Sequence, residues 1–341
     1  MNRFYSTQTS SDPGTLYQLK NRIDRRNVKE KVSTGFHATA DFVDLVFDSY
    51  IVAGVMENLG IQSMDEIPAR TSDLSEDERN KWLLEKVANL VDTFITNDIR
   101  KILTPMKSRR RRSKTNNSAD QDELYNYATS LIQCIMLRRV FIQAISSGDG
   151  NRVLRHWRFA ILLYHMENKF KYRLESFLLL SSTSFLVPPE IREEIKWGRF
   201  VNYSGGEGKN LAVDEVVELY NRFAKERLKY LGPNHKPEVV MKIGRTLDFA
   251  QSVANLVGKQ TGVPRISRSR SKVSVKQDVR LVIGEIIGNS VLNYTPGRKL
   301  SSGVPKKFNS GQSLFSKLNM NSLKKWINDK VKLYENGKIA F

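Results

Sequence analysis

ATADFVDLVFDSYIVAGVMENLG, residues 38–60, decides the class of fold. Phe42, Leu45, Val46, Ser49, Val52, Ala53 and Met56 recur at the three- and four-residue spacing of one helical face. Gly60 follows at once, and glycine in left-handed backbone is a common way to end a helix. The spacing predicts a long helix over 38–59 whose buried stripe needs helical neighbours.

Working outward, the same grammar repeats. Asp12-Pro13-Gly14 reads as the start of a short helix, with Asp as N-cap and Pro in the first turn. Leu16, Leu19 and Ile23 share its face, and residues 24–27 end it. Ser75-Glu76-Asp77-Glu78 is a capping-box signal and opens a helix to about 94. Its apolar positions are Leu83, Val87, Leu90, Val91 and Phe94. Further helices are expected over 97–103, 122–146, 152–182 (in two pieces joined near Glu167-Asn168), 190–200, 211–231 and 237–257. Pro188-Pro189 suits the start of the fourth of these, and Gly232-Pro233 the end of the fifth.

Residues 108–120, SRRRRSKTNNSAD, hold no apolar side chain except Ala119 and read as a disordered basic loop. From 260 onward the character changes: 16 Lys and Arg stand against four acids, which places +12 of the net +19 charge there. That segment reads as a basic, largely extended tail, with possible helices at 277–287 and 323–333. The expected fold is mainly α: an irregular multi-helix bundle with a disordered basic loop and a basic, largely extended C-terminal tail. The expected division is a helical region over 1–107, the linker 108–120, a second helical region over 121–259 packed on the first, and the tail 260–341.

With 341 residues, 40% of them hydrophobic, the chain can bury a substantial core. The charge of +19 draws polyanions, and the candidates are DNA, RNA or an anionic membrane face; the expected partner is DNA or RNA, with no membrane. The lone cysteine, Cys134, excludes an internal disulfide and fits a reducing compartment. It lies in an apolar run and reads as a small buried hydrophobe. The first 13 residues have no apolar core of a secretory signal. The most apolar stretch, 42–56, is interrupted by Asp44, Asp48 and Ser49, so no membrane span is expected. The expected location is intracellular, in the nucleus.

The sharpest charge block is Arg109, Arg110, Arg111 and Arg112 with Lys114. It reads as a nuclear-import signal, as a phosphate-binding loop or as a solvated flexible loop. In 265–272 Arg265, Arg268, Arg270 and Lys272 are interleaved with serines. The cations would track phosphates and phosphorylation of the serines would cancel them; a solubilising tail is the plainer alternative. Gly205-Gly206-Glu207-Gly208-Lys209-Asn210 lacks the spacing and the Ser or Thr of a Walker motif and has no strand before it. A glycine turn presenting a helix N-terminus fits it better. The histidines His37, His156, His165 and His235 have no zinc-ligand spacing, so no metal and no cofactor is expected, and His156 reads as packed near Trp157. The carboxylates Glu167 and Glu175 are the weak catalytic candidates. Eight residues apart, they would stand about 80° apart on one continuous helix, and a two-metal site needs such convergence to hold Mg²⁺. Surface or salt-bridged glutamates are the simpler reading.

Several runs resemble one family in order and spacing. They are PGTLY (13–17) with IDRRNV (23–28), Asp41-Phe42 with YIVA (50–53), RVLRHWR (152–158), Lys171-Tyr172 with Glu175, WGRFVN (197–202), GKN (208–210) with Asp214, Glu218 and Asn221-Arg222, and LGPN (231–234). Together they resemble the domain of unknown function 6589 family over about 12–257. The resemblance implies a transposon-derived ancestry. A cut-and-paste transposase would bring an RNase H-like core with acidic Mg²⁺ ligands. Longer family members carry an upstream Gly-Asp-Gln segment that would supply an early acid, and this chain has no such run. The resemblance therefore implies the C-terminal part of the family region, with Glu175 at most a last acid. No alternating or β-branched strand run precedes residue 150. Three functions follow from this reading: a catalytically incomplete nucleic-acid binder, a metal-dependent nuclease or transposase, or a helical interaction scaffold.

Overall fold

A computed structural model describes residues 4–30, 34–66, 71, 73–92, 122–166, 168–202, 205–229, 236–242, 244–246, 275–303, 305 and 320–336. Among these the fold is mainly helical, with one two-residue antiparallel pair of strands. The helices are α1 (Leu16–Arg22), α2 (Phe36–Leu59), α3 (Glu76–Val91), α4 (Glu123–Ser146), α5 (Gly150–Met166), α6 (Phe170–Ser181), α7 (Pro189–Trp197), α8 (Val213–Lys229), α9 (Val275–Gly288) and α10 (Met320–Glu335). The strands are β1 (Phe200–Val201) and β2 (Leu211–Ala212). Two compact units result, 1–139 with 274–329 and 140–273 with 330–341.

The first unit is organised on α2. All the residues of its predicted stripe are buried except Val52, which is partly so. Burial spreads wider than one stripe, because Val43, Phe47 and Tyr50 are also enclosed. A helix apolar on most sides is stable only when neighbours surround it. Leu16, Leu19 and Ile23 of the α1 region, Tyr127, Leu131 and Ile135 of α4, and Val282, Ile283 and Ile286 of α9 complete that core. Gly60 is left-handed (φ 68°) and ends α2 as the sequence predicts.

Gly14 shows how tightly α1 meets α2. Its φ is +75°, and a Cβ there would lie 2.9 Å from the Tyr50 hydroxyl and 3.0 Å from Val291. That hydroxyl donates to the Gly14 carbonyl at 2.5 Å. Gly14→Ala is expected to destabilise the unit by about 1–3 kcal/mol through strained backbone and contact. A urea midpoint equal to wild type would contradict this.

Three sequence expectations need correction in this unit. Asp12 is not the N-cap of α1: Thr15 is, and the Asp12 carboxylate instead accepts from the Ser301 amide at 2.7 Å. Cys134 is exposed, because buried Leu131, Ile132 and Ile135 occupy the inner side of α4. The long apolar stretches include α4 besides 42–56. By length and composition alone α4 could cross a membrane. Here its first part lies in the core, and Arg138 meets Asp44 at 2.7 Å while Arg139 pairs with Asp48. The capping box of α3 is present, with Glu78 accepting from the Ser75 amide and Ser75 Oγ from the Glu78 amide. No α3 residue is buried, however, and Leu83, Leu84 and Val87 stand exposed.

The largest correction concerns the tail. The helices expected at 277–287 and 323–333 appear as α9 and α10, but α9 and the loop after it are not low-order appendages. Val282, Ile283, Ile286, Val291, Leu292 and Leu300 belong to the core. Arg25 reaches Asp278 at 2.5 Å and Arg22 reaches Glu285 at 3.2 Å. The loop is fixed by Asp122, whose side chain is fully enclosed. Its carboxylate accepts from the amides of Tyr125 (3.0 Å) and Thr295 (2.7 Å) and from Arg298 Nε and Nη2 (2.9 and 2.6 Å). Arg298 also donates to the carbonyls of Ser290 and Asn293. The packing thus divides the chain differently from the four segments read from composition.

In the second unit α5 and α6 form a helical hairpin. Asn168, with φ 54°, makes the turn, so the expected 152–182 helix is the two-piece version. A single wider π turn, Ser182–Leu186, continues α6, and Pro189 starts α7 at its first position. β1 and β2 pair through Phe200↔Ala212 and Val201↔Leu211, and α8 follows β2 directly.

Candidate nucleic-acid interface

Most residues singled out by charge fall outside the described part of the chain. Arg109, Arg110, Arg111, Arg112 and Lys114 do, as do Arg265, Arg268, Arg270 and Lys272. Glu167 does too. Its flanks decide one matter: α5 ends at Met166 and α6 begins at Phe170, so Glu167 and Glu175 do not share a continuous helix. The 80° relation between them therefore does not hold.

Glu175 stands exposed on α6. Its charge, together with burial and the Tyr172 phenol, raises the pKa of Tyr164; burial is the largest cause. Among the described residues no three Asp, Glu, His or Cys side chains come together as a metal site. The described histidines of this unit, His156 and His165, are engaged with neighbouring side chains. His156 stacks on Phe141 with ring centres 4.4 Å apart, rather than on the neighbouring Trp157. Burial pushes its pKa below the usual histidine range. His165 Nδ1 lies 2.7 Å from Arg173 Nη1. Burial and that guanidinium charge hold His165 low, so its Nδ1 accepts from the arginine.

The loop 205–208 is a glycine turn between β1 and β2, with Gly205, Gly206 and Gly208 all at positive φ. A short strand does precede it, contrary to the sequence reading, but that strand is antiparallel and two residues long. Asn202 Nδ2 donates to the Gly206 carbonyl at 2.8 Å, and Asn210 Nδ2 to the Ser146 carbonyl at 2.9 Å. Beside it Arg199 is half-buried; burial lowers its pKa and Asp214, in the first turn of α8, opposes that. These contacts fasten the hairpin, and among the described residues they form no phosphate cradle of the Walker type.

What sequence reading missed lies on α5 and α6. Arg155, Arg158 and Phe159 share one exposed face of α5, opposite buried Val153, Ala160 and Ile161. At 100° per residue the three span about 100° of arc. Exposed Lys169, Phe170, Lys171 and Tyr172 follow at the turn into α6. Tyr172 stacks on Tyr164 with ring centres 5.5 Å apart, and the Arg173 guanidinium lies 4.9 Å from the centre of the Phe170 ring. Arg155, Arg158, Lys169 and Lys171 make no ion pair among the described residues. In the first unit Arg22, Arg25, Arg138, Arg139, Arg280 and Arg298 meet carboxylates. The signal was available as RHWRF (155–159) and KFKY (169–172), where cations and aromatics alternate.

No curated protein and no solved structure matches this sequence. One family model does, described as a family of unknown function, and it covers residues 1–270, most of the chain and wider than the 12–257 carried by the quoted runs. The chain therefore belongs to the family of unknown function DUF6589.

Proposed function

We propose that this protein is a transposon-derived, catalytically incomplete binder of nucleic acid, DNA or RNA, acting in the nucleus through its basic segments. The observation that carries the reading is the net charge of +19, with the dense runs Arg109–Arg112 plus Lys114 and Arg265, Arg268, Arg270 plus Lys272. Each such cation that neutralises a phosphate releases a condensed counterion, which makes binding sequence-independent and steeply salt-dependent. Arginines with intervening serines add a route to control, since each phosphoserine would cancel a contact. Glu175 stands exposed on α6, and among the described residues no three Asp, Glu, His or Cys side chains come together as a metal site.

The full chain is expected to bind nucleic acid of mixed sequence with affinity that falls linearly in log–log against salt. Replacing Arg265, Arg268, Arg270 and Lys272 with alanine should flatten that slope by about three. Replacing Arg109–Arg112 and Lys114 should act in the same direction and should also abolish nuclear accumulation of a fluorescent fusion. Binding that is absent, or indifferent to salt, would overturn the proposal. Mg²⁺-dependent strand cleavage by the intact chain, lost in Glu175→Gln, would replace it with the transposase reading.

A further inference from the structure

We infer that the α5–α6 hairpin is a platform for a single-stranded polynucleotide, in which Arg155, Arg158, Lys169 and Lys171 hold phosphates and Phe159 and Tyr172 stack on bases. The inference deepens the nucleic-acid reading above and rests on it. It names a folded surface where the basic runs supply only charge.

Two independent observations meet here. The first is electrostatic. Residues 150–181 hold six Arg and Lys against two Glu, and the four exposed cations make no ion pair among the described residues. A cation on a folded surface that satisfies no carboxylate is available to a polyanion, whereas Arg22, Arg25, Arg138, Arg139, Arg280 and Arg298 of the first unit already meet carboxylates. The second is apolar. Phe159 is 49% exposed, Phe170 65% and Tyr172 53%, all within one helical hairpin. Large aromatics left in water beside unpaired cations have no role in the core. Base stacking uses both, because every base offers a π-face and its phosphate lies one backbone step away. A duplex hides its base faces, so it would use the cations alone.

The spacing suits an extended strand. From Arg155 to Met166 the helix rises about 1.5 Å per residue, which places the α5 cluster and the 169–172 cluster roughly 15–20 Å apart along the axis. An anionic membrane surface is the other occupant that cations and aromatics favour, and the test separates it.

The experiment measures fluorescence anisotropy of labelled oligo-dT, oligo-rU and a mixed-sequence duplex against the full chain over a range of KCl. The full chain is expected to prefer the single strands. Phe159→Ala should weaken single-strand binding by about five- to a hundredfold and leave duplex binding unchanged. Arg155→Ala with Arg158→Ala should flatten the single-strand salt slope by about 1.4. Thermal melts equal to wild type show that these exposed substitutions leave the fold intact. Ultraviolet crosslinking of oligo-rU to the wild type should place adducts on Phe159, Phe170 or Tyr172. Single-strand affinity unchanged in both variants overturns the inference, as does hairpin-dependent binding to phosphatidylserine vesicles without binding to oligonucleotides. The two proposals fail separately. If the alanine variant of residues 265–272 loses binding while the hairpin variants do not, only this inference falls. If the wild type binds no nucleic acid at all, the proposed function falls with it.

Discussion

A chain ending at residue 259 is expected to lose the cooperative unfolding of its first unit rather than merely its basic charge. Composition marks 260–341 as a dispensable tail, and removing it is the obvious way to test charge-driven binding. Structure forbids that shortcut. The truncation deletes Val282, Ile283, Ile286, Val291, Leu292 and Leu300 from the core shared with Leu16, Leu19, Phe42 and Tyr127. Burying an aliphatic side chain is worth roughly 1.5–3 kcal/mol. Six of them match the roughly 5–15 kcal/mol that holds an entire domain together. It also strips Asp122 of Arg298 and Asp278 from Arg25, leaving enclosed charges without partners. Circular dichroism of the truncated chain should show a broad, low-temperature transition, against a sharp one for the alanine variant of Arg265, Arg268, Arg270 and Lys272. A truncated chain that melts as sharply and as high as the full one would show that α9 is not part of the core.

The same segment explains where sequence reading succeeds and where it stops. Helix content was legible because it depends on local rules: the stripe through α2, the Ser75–Glu78 capping box, Gly60 and the Pro188-Pro189 break each act within a few residues. The role of α9 was not. Its cations dominate any count over a window, and hydrophobic periodicity says that a face is buried without saying against what. Arg280, Arg298 and Lys299 contribute to the apparent +12 of the tail, yet they meet Asp65, Asp122 and Glu123. Charge that looks free in one dimension is therefore partly spent on joining distant segments of the first unit. The candidate interface shows the converse. Arg155, Arg158, Lys169 and Lys171 sit among apolar residues and attract little notice in composition, but folding leaves them unpaired beside exposed rings. Pairing is a property of the tertiary structure, so net charge by segment locates neither kind of residue. The 80° relation drawn between Glu167 and Glu175 fell for a related reason, because it presumed a helix that the turn at Asn168 interrupts.

Asp122→Ala is expected to be among the most destabilising single substitutions in the chain, at about 3–5 kcal/mol, because it leaves the Arg298 guanidinium largely enclosed and without its counter-charge. Its effects go beyond one ion pair. The carboxylate also takes the Tyr125 amide at the start of α4 and the Thr295 amide in the loop after α9, so one side chain sets the register between two segments more than 170 residues apart. The Ala variant should show a lower urea midpoint and fast hydrogen exchange at Thr295, with the exposed α5 face unaffected. Acid supplies a second, independent reading. Burial pushes the Asp122 carboxyl up, but the Arg298 hydrogen bonds and charge and the two amides outweigh it, so its pKa in the folded state lies below the usual aspartate value. A carboxyl depressed by folding contributes stability that is complete above its unfolded pKa, near 4, and is lost as pH falls through the folded value. Asp122→Asn keeps the shape and discards the proton linkage. Its stability curve should therefore be lower than wild type at neutral pH and flatter below about pH 4, with the two curves converging in acid. Curves that run parallel down to pH 2 would show that this carboxylate is not what ties the loop after α9 to the core.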